Sequence, residues 1–262
     1  MAERLYRIGA LTLTEIPRSH PRYESLLARE RIAQGVRDGI TSTQGLIAQG
    51  RGEAFDYLIG ERTTPAARAA TTVAVAMLLL AKQAALSVNG NVAALVPEGM
   101  VELSNVLNAP LEVNLFHRSE ERVGKIASLL HSLGAEMVYG EDPDETILGL
   151  DHARSKATSG GIYDADVVLI PLEDGDRCEA LVGMGKKVIA IDLNPLSRTS
   201  RMATVTIVDN IVRAVPNLIS QAKDLSATNP SYLQSLLDGY DNGVILRQCV
   251  DEIQSHLTKQ FR

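Results

Sequence analysis

Tryptophan is absent from this 262-residue chain, which holds only three phenylalanines and seven tyrosines. Without aromatic platforms, recognition of single-stranded nucleic acid by base stacking is excluded as a main function. Basic residues are the minority, 26 against 32 acidic, for a formal charge of −6. A general binder of nucleic acid or anionic membrane needs a broadly basic surface, so both partners are excluded as well. Cysteine is scarce. Cys178 and Cys249 are too few for a disulfide framework or a four-thiolate zinc site, and they read as two reduced, apolar side chains. The most apolar stretch, residues 73–81, falls far short of the ~20 residues that span a bilayer. The opening segment MAERLYRIGALTLTE carries Glu3, Arg4 and Arg7 and does not make a secretory signal. A soluble, cytoplasmic chain is expected. The glycine-rich phosphate cradles are also missing. GMGKKV (183–188) lacks the spacing and hydroxyl of a P-loop, and GRGEAF (50–55) fails the dinucleotide fingerprint at its last position.

What remains, 45% hydrophobic and 22% charged residues, suits one large α/β domain or two modest ones. The first third reads as helical. Ser19 before Pro21 predicts a helix start, and Leu26, Leu27, Ile32 and Val36 keep helical spacing up to Gly39. A second helix starts near residues 41–43. Thr64-Pro65 opens a third, Ala-rich helix ending near Ala85. The period then changes. Strands are predicted at 86–89, 111–116, 137–140, 166–172, 187–192 and 204–208. Between them stand helices near 98–107, from Ser119 to Gly134, and from a capping box at Asp176/Glu179 to Gly185. Asp209-Asn210 opens a further helix. Such alternation predicts an α/β fold, a Rossmann-like parallel sheet with flanking helices, a helical N-terminal segment and a helical C-terminal tail. The expected divisions are a helical segment (1–85) packing on the core, a nucleotide-binding core (86–227), and a tail (228–262) broken at DGYDNG that packs on the domain or on a second subunit.

A parallel sheet binds ligands at the carboxyl ends of its strands, where loops run into helix N-termini. In IDLNPLSRTSRM (191–202), Asp192 at a strand end suits ribose hydroxyls, and Ser197 to Arg201 offer donors to phosphate. The same residues also describe a polar surface loop. In PLEDGDRCEA (171–180), Glu173, Asp174 and Asp176 could hold Mg²⁺ beside a polyphosphate and Arg177 could pair with a substrate anion; a plain helix cap is the alternative. The Asn89-Gly90-Asn91 turn suits an anion at a helix start, or is simply tight. Arg29 and Arg51 stand apart in the helical front, Arg51 between two glycines. A small polyanionic ligand fits all of this.

Several long strings carry a resemblance: IPRSHPRYESLLARERI (16–32), GLIAQGRGEAFDYLIGE (45–61), SVNGNVAALVP (87–97), NLFHRSEERV (114–123) and DADVVLIPLEDGDRCEALVGMGKKVIAIDLNPLSRTSRMATVTIVDNIVRA (164–214). Together they resemble the archaeal phosphopantothenate synthetase family, the 4-phosphopantoate–β-alanine ligases of coenzyme A biosynthesis. The likeness spans roughly residues 16–225, thins over the tail, and leaves 1–15 as an extension. Gln49 stands where the family pattern has a histidine. The resemblance implies ATP-dependent amide formation through an acyl adenylate, with AMP and pyrophosphate released, Mg²⁺ assisting, and a homodimer. It places ATP contacts on Arg29, Arg51, Asp192, Leu193, Asn194, Arg198, Thr199, Asn210 and Ile211. For the acid substrate, Asn89 and Asn91 are expected at the phosphate and Arg177 at the carboxylate. His117 and His152 could accept the amine's proton, but a lone histidine is more often structural, and neither is assigned to the site. A nucleotide-sensing module without turnover and an ADP-forming acyl-phosphate ligase are the alternatives.

Overall fold

A computed structural model describes residues 17–261. The expected extension over residues 1–15 lies outside them. Three helices precede any strand: α1 (Tyr23–Arg37), α2 (Thr43–Ile59) and α3 (Pro65–Leu80). Ser19 does not cap α1. The helix starts after Arg22, whose N–H is taken by His20 Nδ1 at 3.0 Å, so a histidine turn supplies the entry. α3 begins where the sequence predicts. The Thr64 hydroxyl accepts the Ala67 N–H, and Pro65 occupies a position whose N–H has no intrahelical partner. It stops at Leu80, short of Ala85. Ala84 and Ala85 pair in a strand with Val167 and Val168, and sheet formation overrides the helical preference of alanine.

The core is a six-stranded parallel sheet of β1 (Ala84–Val88), β2 (Leu111–Val113), β3 (Val138–Tyr139), β6 (Val167–Pro171), β7 (Lys187–Ile191) and β8 (Val205–Ile207), in the order β3-β2-β1-β6-β7-β8. Helices α4 (Gly90–Leu95) and α5 (Pro97–Leu107) join β1 to β2, and α6 (Glu120–Ser132) joins β2 to β3. On the other side, α7 (Gly175–Gly183) joins β6 to β7 and the short α8 (Arg198–Met202) joins β7 to β8. The winding reverses between β1 and β6, the doubly wound arrangement in which ligands bind where the order turns. α7 starts earlier than predicted. Asp174, not Asp176, caps it by accepting the Arg177 N–H at 2.9 Å.

One apolar cluster fills the face covered by α3, α5, α6 and α9 (Ile211–Leu225). The opposite face is closed by α7 and by a segment the sequence left unread: a small antiparallel hairpin of β4 (Glu145–Thr146) and β5 (Lys156–Ala157), with Ile147, Leu150 and Ile162 turned inward. Both cysteines are buried free thiols, their pKa pushed up to about 12 by desolvation. The tail forms α10 (Pro230–Asp238) and α11 (Asn242–Gln260), and α11 packs on α2, α3 and β8. Among the described residues no helix is long and apolar enough to cross a membrane.

Candidate active site at the point where the sheet reverses

A cavity of about 610 Å³ opens over the carboxyl ends of β1, β6 and β7, with α2 along its other side. That volume is ample for a small-molecule ligand. Asn89 forms part of its floor. The Nδ2 group donates to Pro171 O (3.0 Å) and Leu172 O (3.1 Å), while Oδ1 accepts the Asn91 and Val92 amides. This side chain stitches β1 to β6 and caps α4. Leu172 is held at φ +52°, an uncommon conformation for a branched apolar residue, directly beside the cavity. Asn91 is engaged as well: it accepts from the Thr41 hydroxyl (2.5 Å) and donates to Gly45 O (3.0 Å), tying the start of α2 to α4. Both asparagines expected at the substrate phosphate line the cavity, and both side chains also make these internal bonds.

The loop after β7 supplies one wall. Asp192 accepts the Asn194 N–H (2.9 Å) and the Ser197 hydroxyl (2.5 Å). Burial raises its pKa, and the bonds from Ser197 and Asn194 with the nearby charge of Arg51 offset part of the rise. Leu193, Asn194, Arg198 and Thr199 line the same wall, joined by Asn210 and Ile211 at the start of α9. Thr199 Oγ1 donates to Glu173 O (2.9 Å), and Asn210 donates to Asp56 (2.7 Å) while its Oδ1 caps α9. Their side chains are occupied, which leaves backbone groups to face a ligand. With Arg51, eight of the nine residues expected at ATP line one cavity.

Arg29 does not. Its Nε lies 3.0 Å from each oxygen of Glu53 and its Nη2 reaches Tyr57, so it clamps α1 to α2 away from the cavity lining. Arg177 is also displaced from its expected role. It is wholly buried, donates to Ser87 Oγ (2.9 Å) and Glu173 (2.6 Å), and does not line the cavity. Glu173 is flanked on its other side by Arg154 at 2.5 Å, Asp174 lies 3.3 Å from the same arginine, and Asp176 pairs with Arg198. The acidic run is therefore neutralised by arginines. Among the described residues no group of three or more acidic, histidine or cysteine side chains could hold a metal.

Four arginines line the cavity: Arg51, Arg122, Arg154 and Arg198. Arg122 and Arg154 were not expected there from the sequence. Arg154 sits in the single 3₁₀ turn of the hairpin, where no periodicity marks it. Arg122 is in the first turn of α6, otherwise acidic at Glu120 and Glu121. A cation there opposes the helix dipole, and that was a usable signal. Phe116 and His117 line the same end, with His152 beside Phe116.

The sequence model of a family described as phosphopantothenate/pantothenate synthetase matches residues 66–256. A protein of Methanosarcina mazei named 4-phosphopantoate–beta-alanine ligase is 57% identical over 245 residues, 94% of this chain and 96% of its own length. Proteins with the same name from Thermococcus onnurineus and Thermococcus kodakarensis are 54% and 53% identical over 248 residues, each covering 94% of this chain and 95% of their own.

Proposed function

Since the chain belongs to the phosphopantothenate/pantothenate synthetase family, a family of C–N bond-forming ligases, we propose that it joins 4-phosphopantoate to β-alanine at the expense of ATP. The observation that carries this reading is the gathering of eight expected ATP residues in one cavity at the sheet's reversal point. The ribose hydroxyls bond to Asp192, whose carboxylate retains lone pairs beyond those used by Ser197 and Asn194. The adenine lies between Leu193 and Ile211 and is read by backbone groups of the Asn194 and Asn210 turns. The triphosphate faces Arg51, Arg198 and the amide of Thr199. Arg29 acts at one remove, by fixing Glu53 and so the helix that carries Arg51.

The chemistry has two displacements. A carboxylate oxygen of 4-phosphopantoate attacks the α-phosphorus, the bond to the bridging oxygen breaks, and pyrophosphate leaves. The neutral β-alanine amine, its ammonium proton already given to solvent, then attacks the acyl carbon, AMP departs, and the nitrogen gives up one further proton to solvent and keeps one as the amide N–H. Arg51 and Arg198 balance the charge that grows on pyrophosphate, so catalysis is positioning and charge neutralisation without a covalent enzyme intermediate. Glu173, Asp174 and Asp176 are paired with arginines and do not fit a resident Mg²⁺ cage; an Mg²⁺ brought with ATP would supply charge neutralisation without a protein ligand set of its own. The exposed apolar side chains Tyr232, Val244, Val250 and Leu257 support a homodimer built on the tail helices.

The test is an incubation with ATP, Mg²⁺, 4-phosphopantoate and β-alanine, leaving out each in turn. AMP and pyrophosphate are expected in equal amounts with the amide. Release of ADP would replace the adenylate by an acyl phosphate, and no turnover would make the cavity a nucleotide sensor.

A further inference from the structure

We propose that Arg122 is the receptor for the phosphate group of the acid substrate, at the end of the cavity opposite the nucleoside. The inference rests on the ligase reading above and identifies a residue for it. Of the four arginines around the cavity, Arg154 and Arg198 are paired with carboxylates, and Arg51 lies near Asp192. Arg122 differs from all of them. Its Nη1 donates to His117 O (2.6 Å) and its Nη2 to Ile40 O (3.3 Å), both neutral carbonyls. Its Nε is buried with no partner. Among the described residues no carboxylate pairs with it, and burial alone pulls its pKa down.

A half-buried guanidinium bonded only to carbonyls is costly, and its place in the first turn of α6 adds an unfavourable dipole. Both costs are reversed when an anion arrives. The cavity reaches this guanidinium, and on its packed side the backbone comes close. Gly90 presents bare backbone, and a Cβ there would come within 3.1 Å of Arg122 Nη2 and 2.7 Å of Ile40 O. Ser42, Gln44 and Gly45, at the start of α2, line the same end, and Ser42 makes no capping bond of its own.

The helix α2 measures the distance to the nucleotide. A Cβ on Gly45 would meet Asn91 at the Arg122 end, and one on Gly52 would lie 3.5 Å from Leu193 at the other. Seven residues of helix separate them, about 10 Å at 1.5 Å per residue. A short acid anchored by its phosphate on Arg122 therefore directs its carboxylate along α2 toward the α-phosphate. Free inorganic phosphate has the same charge but no carboxylate to deliver, so it acts here as a competitor.

The experiment compares 4-phosphopantoate with pantoate on the wild type, Arg122→Ala and Arg122→Lys. For Arg122→Ala, kcat/KM with 4-phosphopantoate should fall at least ~30-fold, as for loss of a buried charge partner, while the loss with pantoate stays within a few-fold. KM for ATP should move by no more than about twofold. Arg122→Lys should fall between, and decides the matter if the alanine variant melts early. Equal losses on both acids, or a loss confined to ATP, would overturn the assignment. Should the wild type turn over neither acid, the ligase reading fails by itself. Calorimetric titration with 4-phosphopantoate then tests Arg122 alone: weaker binding by the variant supports it, and equal affinity removes it.

Discussion

Two loops leave the sheet side by side, the acidic residues 173–177 after β6 and the more basic residues 192–201 after β7, and the fold uses them in opposite ways. In the first, Glu173 and Arg177 are wholly shielded from solvent, and Arg154 closes over them from the hairpin. In the second, Asp192 stands at the cavity edge and Arg198 is half exposed, joined to Asp176 in a solvated pair. Both loops border the cavity, but the first is held by internal ion pairs and the second keeps exposed groups toward it. A strand-end carboxylate or arginine is available to a ligand where the fold has left it in reach of solvent or with lone pairs to spare, as with Arg198 and Asp192, and not where it is sealed between buried partners, as with Arg177.

The sharpest way to break this contrast is Glu173→Gln. Arg177, already lacking partners for Nε and Nη2, would become an uncompensated buried cation. Stability should drop by about 3–5 kcal/mol, read by urea denaturation. A variant that lost turnover at full stability would instead put Glu173 among the ligand-binding groups. Next in size is Arg51→Ala on the open side. It should lower kcat by roughly 10²–10³, the range for removing one charge-stabilising donor. The unfolding midpoint should barely move, and a matching loss of stability would make Arg51 part of the scaffold. The third concerns how far the buried network reaches. Glu112, beside Ser87 on the neighbouring strand, accepts the Ile162 N–H, and burial raises its pKa from 4.5 to about 7. Between those values the native chain holds a proton that the unfolded chain has lost. Its contribution to stability is therefore full below that window and is lost as pH rises through it, on the order of 1 kcal/mol per pH unit. Glu112→Gln should flatten that slope in unfolding curves taken from pH 5 to 7; an unchanged slope would detach Glu112 from the network.

The sheet was legible because strands covered on both faces read as apolar runs, as in residues 166–172 and 187–192, and because Thr64, Ser119 and Asn210 are capping side chains in the structure. The hairpin was not, since strands of two residues leave no alternation to read. At the cavity, the β7 loop could be picked out because Asp192, Ser197 and Arg198 cluster in sequence. What sequence could not say is which polar groups the fold engages internally. Asn89, Asn91, Arg29 and Arg177 have the right chemistry, but each is also engaged by a partner 24 to 90 residues away. Arg154 needs that same long-range information to be seen at all.

The mooring of α2 has a mechanical consequence. Near its start, Asn91 holds Thr41 and Gly45; toward its far end, Asp56 is gripped by Asn210 and by Arg213 at 2.5 Å. A beam pinned at both abutments flexes but does not swing. The gap beneath it is then a property of the resting protein, and two negatively charged guests meet at a spacing set before either arrives, with little reorganisation left to oppose their docking.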